Sequence, residues 1–160
     1  TPLKRVTWLN TAIGAIPGAL PPLMGWTAAR NELSGQGWAL FAILAFWQLP
    51  HFFAIAWIYR EQYAKAGFVM LPNVDADGRQ TGQQTVSNAL ALLIVSLCPF
   101  LFKMAGMVYL AGAALLGIGF LFCAIQFSRQ LTLSRARRLF LASILYLPLL
   151  LALMVFDKVR

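Results

Sequence analysis

Long apolar stretches without Lys, Arg, Asp or Glu alternate with short charged segments along this chain. A bilayer core of about 30 Å requires about 20 mainly apolar residues per helix, and five stretches have or approach this length. We therefore predict an all-α, polytopic transmembrane helix bundle with five spans. The predicted spans cover residues 6–29, 33–59, 80–102, 104–128 and 139–156.

The composition supports an integral membrane protein and excludes a soluble globular one. The mean hydropathy is +0.71 and only 11% of the residues are charged, which is far from what a soluble surface requires. Cys98 and Cys123 lie within predicted spans, so neither a disulfide nor a metal motif is indicated. No internal repeat is present, which argues against a transporter of paired halves and favours one domain over residues 1–160.

The net charge of +8 is spread over short loops instead of one basic stripe, so we expect no nucleic-acid partner. If the spans alternate in direction, the cations on one side are Lys4, Arg5, Arg60, Lys65, Arg79, Arg129, Arg135, Arg137 and Arg138. Those on the other side are Arg30, Lys103, Lys158 and Arg160. The positive-inside rule assigns the richer side to the cytoplasm, with the carboxyl terminus outside.

The first apolar run follows directly on a short basic segment that starts at Thr1, without an initiator Met. We expect a fragment of a longer protein. A cleaved secretory signal is the alternative, but three prolines in the run and four further spans argue against it. In the same run, Gly14 and Gly18 form a small-xxx-small pair, which predicts close contact with another helix.

The longest loop, residues 60–79, lies on the inferred cytoplasmic side and is the candidate active-site loop. Its acidic and amide side chains include Glu61, Gln62, Asp75 and Asp77. The run from Asp75 to Gly78 resembles the start of a calcium loop, but Val86 occupies the twelfth position, where such a loop requires Glu. We therefore predict a turn there, in which Asp supplies hydrogen bonds and Gly a positive φ.

His51 follows Pro50 within the second predicted span. An ionisable group is costly in a bilayer and usually faces the bundle interior. Two interpretations stay open: a neutral imidazole bonded to a neighbouring helix, or a role in binding or catalysis. Gln48 lies about one turn earlier, on the same predicted face. A flat hydrophobic ligand would find aromatic neighbours in Trp47, Phe52, Phe53 and Trp57. An interface anchor is the alternative for Trp57, and for Tyr59, near the end of the span.

Several motifs stand in a fixed order along the chain. They are Leu3-Lys4-Arg5-Val6-Thr7 with Asn10, residues 14–19 with Pro21-Pro22 and Gly25, residues 47–52, residues 63–67, and Met70-Leu71-Pro72. In sequence and order they resemble the protohaem IX farnesyltransferases (haem O synthases), a branch of the UbiA-type intramembrane prenyltransferases. Several long motifs in register are a stronger signal than one short pattern.

The resemblance implies a bundle of about nine spans, of which this chain would carry the last five. It implies transfer of a farnesyl group from farnesyl diphosphate to the 2-vinyl group of protohaem IX (haem B), with addition of water, to make haem O for terminal oxidases. In such enzymes two polar motifs in cytoplasmic loops hold the diphosphate through Mg²⁺. The first, an Asp-rich motif, would lie upstream of Thr1, so we expect the fragment alone to be inactive.

By resemblance, the second motif and its catalytic candidates are Arg60, Glu61, Gln62 and Tyr63. The family usually has Asp-Tyr where this chain has Gln62-Tyr63, and an amide brings no negative charge to Mg²⁺. Glu61 is therefore the candidate metal ligand and Arg60 the candidate diphosphate contact. Tyr63 is a candidate for steadying an allylic cation with its ring or for orienting a phosphate oxygen. A solvated helix end is the alternative for all four.

Lys4 and Arg5 are further diphosphate candidates, Lys4 as the lysine of the superfamily's Tyr-x-x-x-Lys motif. A topology anchor is the alternative for both, and the two roles are compatible. For the haem, His51 is the leading candidate, as an axial ligand or as a hydrogen-bonding group that positions the porphyrin. Gln48 and Asn10 would be polar supports in the same cavity.

The implied partners are protohaem IX, farnesyl diphosphate, the lipid bilayer and possible contacts with a haem A synthase or terminal oxidase, in a bacterial inner membrane. Two alternatives stay open. One is a UbiA-type enzyme that prenylates a quinone precursor or a chlorin. The other is a non-catalytic haem- or lipid-binding membrane protein, which Gln62 favours. Mg²⁺-dependent consumption of farnesyl diphosphate separates the enzymes from the binding protein.

Overall fold

Helices account for most of the computed structural model, which describes Thr7 and residues 10–159, without the side chains of Asn10 and Ala12. Within these residues the helices are α1 (Asn10–Arg30), α2 (Gly35–Ile58), α3 (Arg60–Lys65), α4 (Leu71–Val74), α5 (Arg79–Val95), α6 (Cys98–Leu101), α7 (Met107–Arg129) and α8 (Leu133–Phe156). The described part of the chain contains no β-strand beyond an isolated bridge between Ala105 and Lys158. The all-α prediction is confirmed.

Four helical segments of the described chain are long and apolar enough to cross a membrane. They are Gly35–Ile58, Arg79–Leu101, Met107–Arg129 and Leu133–Phe156, and they coincide with four of the five predicted spans. α1 is a helix of 21 residues at the position of the other predicted span, but its prolines and glycines dilute its apolar side chains. It is not among the four. The protein is an integral, multi-pass membrane protein, and a membrane-spanning role for α1 stays a prediction.

Two helix boundaries differ from the predicted spans for local reasons. α8 begins at Leu133, ahead of the predicted start at residue 139, because the Thr132 hydroxyl oxygen accepts a hydrogen bond from the Arg135 N–H (3.4 Å) and caps the charged first turn. α5 ends at Val95 instead of continuing to residue 102. Pro99 cannot donate to the carbonyl four residues earlier, and its ring would clash with that carbonyl.

α2 is the central helix of the bundle. It packs against α1, α5 and α8, while α7 packs between α5 and α8. Glycine allows α1 and α2 to approach closely. A Cβ at Gly18 would meet the Gln48 carboxamide, and one at Gly37 would meet Leu23 and Trp26. A Cβ at Gly14 would have no neighbour within 4 Å, so the predicted close contact holds at Gly18 and not at Gly14.

The two ends of the bundle differ, and we name them by their residues. At the Asp157 end, the Asp157 carboxylate accepts a hydrogen bond from the Tyr109 N–H (2.7 Å) at the start of α7. The Tyr109 hydroxyl donates to the buried Ser96 carbonyl (2.8 Å), which follows the end of α5, and the Ser96 and Tyr146 hydroxyls lie 2.7 Å apart. At the α3 end, α2 leads into α3, and α5 and α8 begin.

Candidate active site

The His51 side chain on α2 is bound to α8. Its Nδ1 lies 2.7 Å from the Ser143 Oγ. The Ser143 hydroxyl donates its proton to the Phe140 carbonyl (2.6 Å), so its oxygen accepts from the imidazole. This network selects the Nδ1–H form of His51, and within the described residues no hydrogen bond occupies the Nε2 lone pair. The prediction of a hydrogen bond to a neighbouring helix is confirmed, and a role in binding stays a prediction.

Aromatic rings hold the His51 imidazole in place. The Trp47 ring stacks on it, with centroids 4.9 Å apart and planes at 20°. Phe140 lies 5.2 Å away at 31°, and Phe52 approaches by its edge at 5.8 Å. The Trp47 indole N–H donates to the Ser143 carbonyl (2.8 Å). One residue of α8 therefore orients both Trp47 and His51, and the half-buried imidazole has little rotational freedom.

Gln48 is a buried polar group on the side of α2 that meets α1. Its side chain is only 7% exposed, and its Oε1 has no hydrogen-bond partner among the described residues. A Cβ at Gly18 would lie 2.7 Å from this oxygen. A buried acceptor without a partner is a group that a bound molecule can satisfy. Gln48 and His51, predicted on one face, contact different helices, α1 and α8.

At the α3 end, Arg60 and Glu61 line a cavity of about 260 Å³ between α3 and the segment around α4. The other lining residues are Ala64, Pro72, Asn73, Asp75 and Ala76. The Arg60 guanidinium lies 5.1 Å from the centre of the Trp57 ring, and this cation–π contact restrains the Arg60 side chain. Polar side chains of both signs thus converge on one open pocket at the end of α2.

The segment beyond this cavity forms the predicted turn. The Asp75 Oδ2 accepts hydrogen bonds from the Thr81 N–H (2.7 Å) and the Thr81 hydroxyl (2.9 Å) at the start of α5. Gly78 has a φ of 67°, as predicted for the glycine of the turn. Asp75 therefore fixes the helix start while it also lines the Glu61 cavity.

A second cavity at the α3 end, of about 420 Å³, lies between α2, α3 and α8. Its lining residues are Ile55, Ile58, Tyr59, Gln62, Leu133, Arg137 and Phe140. The structure thus divides the predicted catalytic set, because Gln62 lines this cavity whereas Arg60 and Glu61 line the other. The Tyr63 ring is half-buried against Phe68, at 6.1 Å between centroids, and lines neither cavity.

The Glu61 cavity has two carboxylates, Glu61 and Asp75, among its lining residues, and carboxylates are the side chains that the implied Mg²⁺ ion would require. The described residues contain no group of three or more His, Cys, Asp or Glu side chains able to hold a metal. Mg²⁺ is commonly bound through one or two carboxylates together with substrate phosphates. Glu61 and Asp75 fit that mode, although one Asp75 oxygen is engaged by Thr81.

The side chains of three predicted site residues lie outside the described part of the chain. Lys4 and Arg5 lie outside the described residues. Asn10 is the first residue of α1, and its side chain is outside the described part as well. Their assignments to the diphosphate and to the haem stay predictions.

Sequence reasoning missed four residues of these sites: Asn73, Arg137, Phe140 and Ser143. Ser143 is a hydroxyl in an otherwise apolar stretch of the last span, which is a signal of a polar contact within the bundle. Arg137 was interpreted only as a marker of topology. Asn73 lies in the candidate loop without a motif of its own, and Phe140 gave no signal.

The structure is a bundle of apolar helices with polar side chains around cavities at one end, and its amino-acid sequence can be compared with known protein families. The model of the UbiA prenyltransferase family matches residues 1–152. The chain therefore belongs to the UbiA prenyltransferase family. No solved structure matches the chain.

Among individual relatives, a protein of Solibacter usitatus named protoheme IX farnesyltransferase is 51% identical over 158 residues, covering 99% of this chain and 54% of that protein. A protein of Koribacter versatilis with the same name is 48% identical, covering 99% of this chain and 53% of the relative. One of Salinibacter ruber, also so named, is 47% identical, covering 98% and 56%. The chain thus spans about half the length of these relatives.

Proposed function

We propose that the complete protein is a protohaem IX farnesyltransferase, which makes haem O from protohaem and farnesyl diphosphate. The observation that carries this proposal is the layout of α2, together with the name that the relatives bear. The helix holds an oriented imidazole at His51 and leads directly to the Arg60 and Glu61 cavity. Arg60 lies nine positions after His51, roughly 13 Å further along a helix axis, so the two candidate contacts lie at different depths of the bundle.

The reaction begins with cleavage of the allylic C–O bond of farnesyl diphosphate, and the diphosphate leaves with the electron pair. The terminal carbon of the 2-vinyl group then forms a C–C bond to the farnesyl carbon. Water adds to the resulting cation beside the porphyrin ring and loses a proton, which gives the hydroxyethylfarnesyl side chain. Such a sequence requires stabilisation of the leaving group and exclusion of bulk water.

The residues of this chain take the following roles. Arg60 binds the diphosphate, with its direction set by the Trp57 ring. Glu61 would hold Mg²⁺, which supplies positive charge to the leaving diphosphate. His51 binds or positions the porphyrin through Nε2, and Gln48, whose Oε1 has no partner among the described residues, is a polar support within the cavity. Lys4, Arg5, Gln62, Tyr63 and Asn10 complete the assignment that the resemblance gives.

The proposal includes a location and an orientation. The protein would lie in a bacterial inner membrane with the α3 end in the cytoplasm, where the positive-inside rule assigns the greater number of cations. Cytoplasmic access suits a soluble diphosphate leaving group. A haem A synthase or a terminal oxidase, which would receive haem O, is the proposed partner.

Mass analysis of haem tests the proposal. Membranes that contain the protein in its complete natural reading frame receive protohaem, farnesyl diphosphate and Mg²⁺, beside a known active enzyme as control. We expect a new haem that is heavier by a farnesyl group plus water. Unchanged protohaem in well-expressed membranes would refute it. Consumption of farnesyl diphosphate without this product would instead indicate another acceptor, and haem affinity without turnover a binding protein.

A further inference from the structure

The cavity between α2, α3 and α8, named here the α2–α8 groove, reaches Ile55, one helical turn from His51 along α2. Along α2 and α3, the positions 51, 55, 58 and 62 follow a helical spacing of four, three and four residues, so they share one face. Along α8, the positions 133, 137, 140 and 143 share the facing side. Phe140 belongs to the groove and its ring also contacts His51. Phe140 is therefore a wall that the groove shares with the His51 cluster.

The groove has an apolar interior and a cationic mouth. Ile55, Ile58, Leu133 and Phe140 supply apolar walls, and Arg137 supplies the positive charge. The described residues that line it include no carboxylate. Its volume of about 420 Å³ lies in the range of small-molecule pockets. This layout suits a ligand with a flat apolar body and an anionic group at one edge.

We propose that Arg137 binds a propionate carboxylate of protohaem in the α2–α8 groove, with Gln62 as a neighbouring hydrogen-bond donor. The inference rests on the proposed function, because it assigns the edge of the acceptor to a particular side chain. A guanidinium offers two parallel N–H donors that match a carboxylate. Arg137 and Ser143 lie six residues apart, roughly 9 Å along α8. A rigid porphyrin anchored at Arg137 therefore extends towards His51.

The diphosphate is the other anion of the reaction, and the groove suits it less well. A diphosphate carries several charges and is commonly held through Mg²⁺, which requires carboxylate ligands. Those ligands, Glu61 and Asp75, line the cavity on the other side of α3. A single carboxylate needs only the guanidinium. The groove therefore suits the propionate edge of the acceptor, and the Glu61 cavity suits the diphosphate.

The inference is tested by titrating the purified full-length protein with protohaem IX and, separately, with its dimethyl ester. Binding is measured by the change in haem absorption. We expect the wild-type protein to bind the free acid about tenfold more tightly than the ester, because each charge-assisted hydrogen bond contributes to affinity. Arg137→Gln should remove this preference. Arg138→Gln, at an exposed arginine one residue further on and outside the groove, is the matched control and should keep it. Arg137→Lys keeps the positive charge but lacks the two parallel N–H donors of the guanidinium, so it should keep part of the preference for the free acid.

Three results would overturn the inference. One is a wild-type protein that binds acid and ester equally, and another is an Arg137→Gln protein that keeps the preference. The third is an Arg137→Gln protein with a raised KM for farnesyl diphosphate and an unchanged preference, which would assign the groove to the diphosphate. If Arg137→Gln does not fold, a preference in Arg137→Lys equal to the wild type would count against the carboxylate fork. Haem O formation by the wild-type protein is measured separately, so failure of the proposed function is distinguishable.

Discussion

The two ends of the bundle differ in how several of their polar groups are engaged. At the Asp157 end, Asp157, Tyr109, Ser96 and Tyr146 bind one another or the backbone of neighbouring helices. At the α3 end, Arg60, Glu61, Gln62 and Arg137 are exposed around two cavities. Polar groups paired within the chain stabilise the fold, whereas polar groups directed at open cavities are free to bind ligands. The comparison places a hydrogen-bonded polar cluster at the Asp157 end and the candidate ligand-binding side chains at the α3 end.

Glu61→Gln should have the largest effect, on activity and not on stability. If Glu61 holds Mg²⁺ as proposed, its replacement would remove a ligand of the ion that neutralises the leaving diphosphate, and we expect kcat/KM for farnesyl transfer to fall by about 100-fold. The unfolding temperature should not change, because Glu61 is exposed. Asp77→Asn, at an exposed acid outside the cavity, is the control. Full activity of Glu61→Gln would show that the Glu61 carboxylate is not needed for the reaction and that this cavity is not the catalytic site.

Tyr109→Phe should have the next largest effect, at the Asp157 end and on stability alone. The fully buried Tyr109 hydroxyl is the donor to the Ser96 carbonyl, and a buried acceptor without its partner costs about 1–3 kcal/mol. Denaturant unfolding in detergent measures the loss. Tyr59→Phe, which removes an exposed hydroxyl, should leave unfolding unchanged. Reduced turnover per folded molecule in Tyr109→Phe would contradict the division between the ends.

Ser143→Ala tests the link between α8 and the imidazole. Without the Ser143 oxygen, His51 Nδ1–H loses its acceptor and the ring loses its fixed orientation. Groups that orient a ligating His typically contribute 10- to 100-fold, so we expect haem affinity to fall by about tenfold. Haem titration measures it, with Ser134→Ala, at an exposed serine of α8, as control. Unchanged affinity would show that His51 does not contact haem through an oriented Nε2.

Asp157→Asn should give the smallest effect. An Asn oxygen can still accept from the Tyr109 N–H, but the negative charge near the start of α7 is lost. The interaction of a charge with a helix terminus contributes about 0.3–1 kcal/mol. Denaturant unfolding of Asp157→Asn and of Tyr109→Phe under the same conditions compares their losses in free energy of unfolding. A loss larger than that of Tyr109→Phe would make the carboxylate the main contact of this end.

Some of this architecture follows from the sequence alone. Bilayer thickness fixes the length of an apolar run, so four spans were predicted at their observed places. The observed helix boundaries differ from the predicted ones because of local chemistry that the length of an apolar run does not include. Examples are the cap at Thr132 and the helix break before Pro99. α1 shows the limit of the pattern, because it is helical without being apolar enough to count among the four.

The same division holds for the site. The sequence by itself determined the candidates His51, Gln48 and the run from Arg60 to Tyr63, because polar groups in or beside an apolar span are costly and need a reason. Only the tertiary structure decided that His51 meets Ser143, 92 residues away, and that Glu61 and Gln62 line different cavities. The physical reason is that a hydrogen bond or a cavity between helices depends on which faces meet. That choice is made by the packing of the whole bundle and is not encoded in any one span.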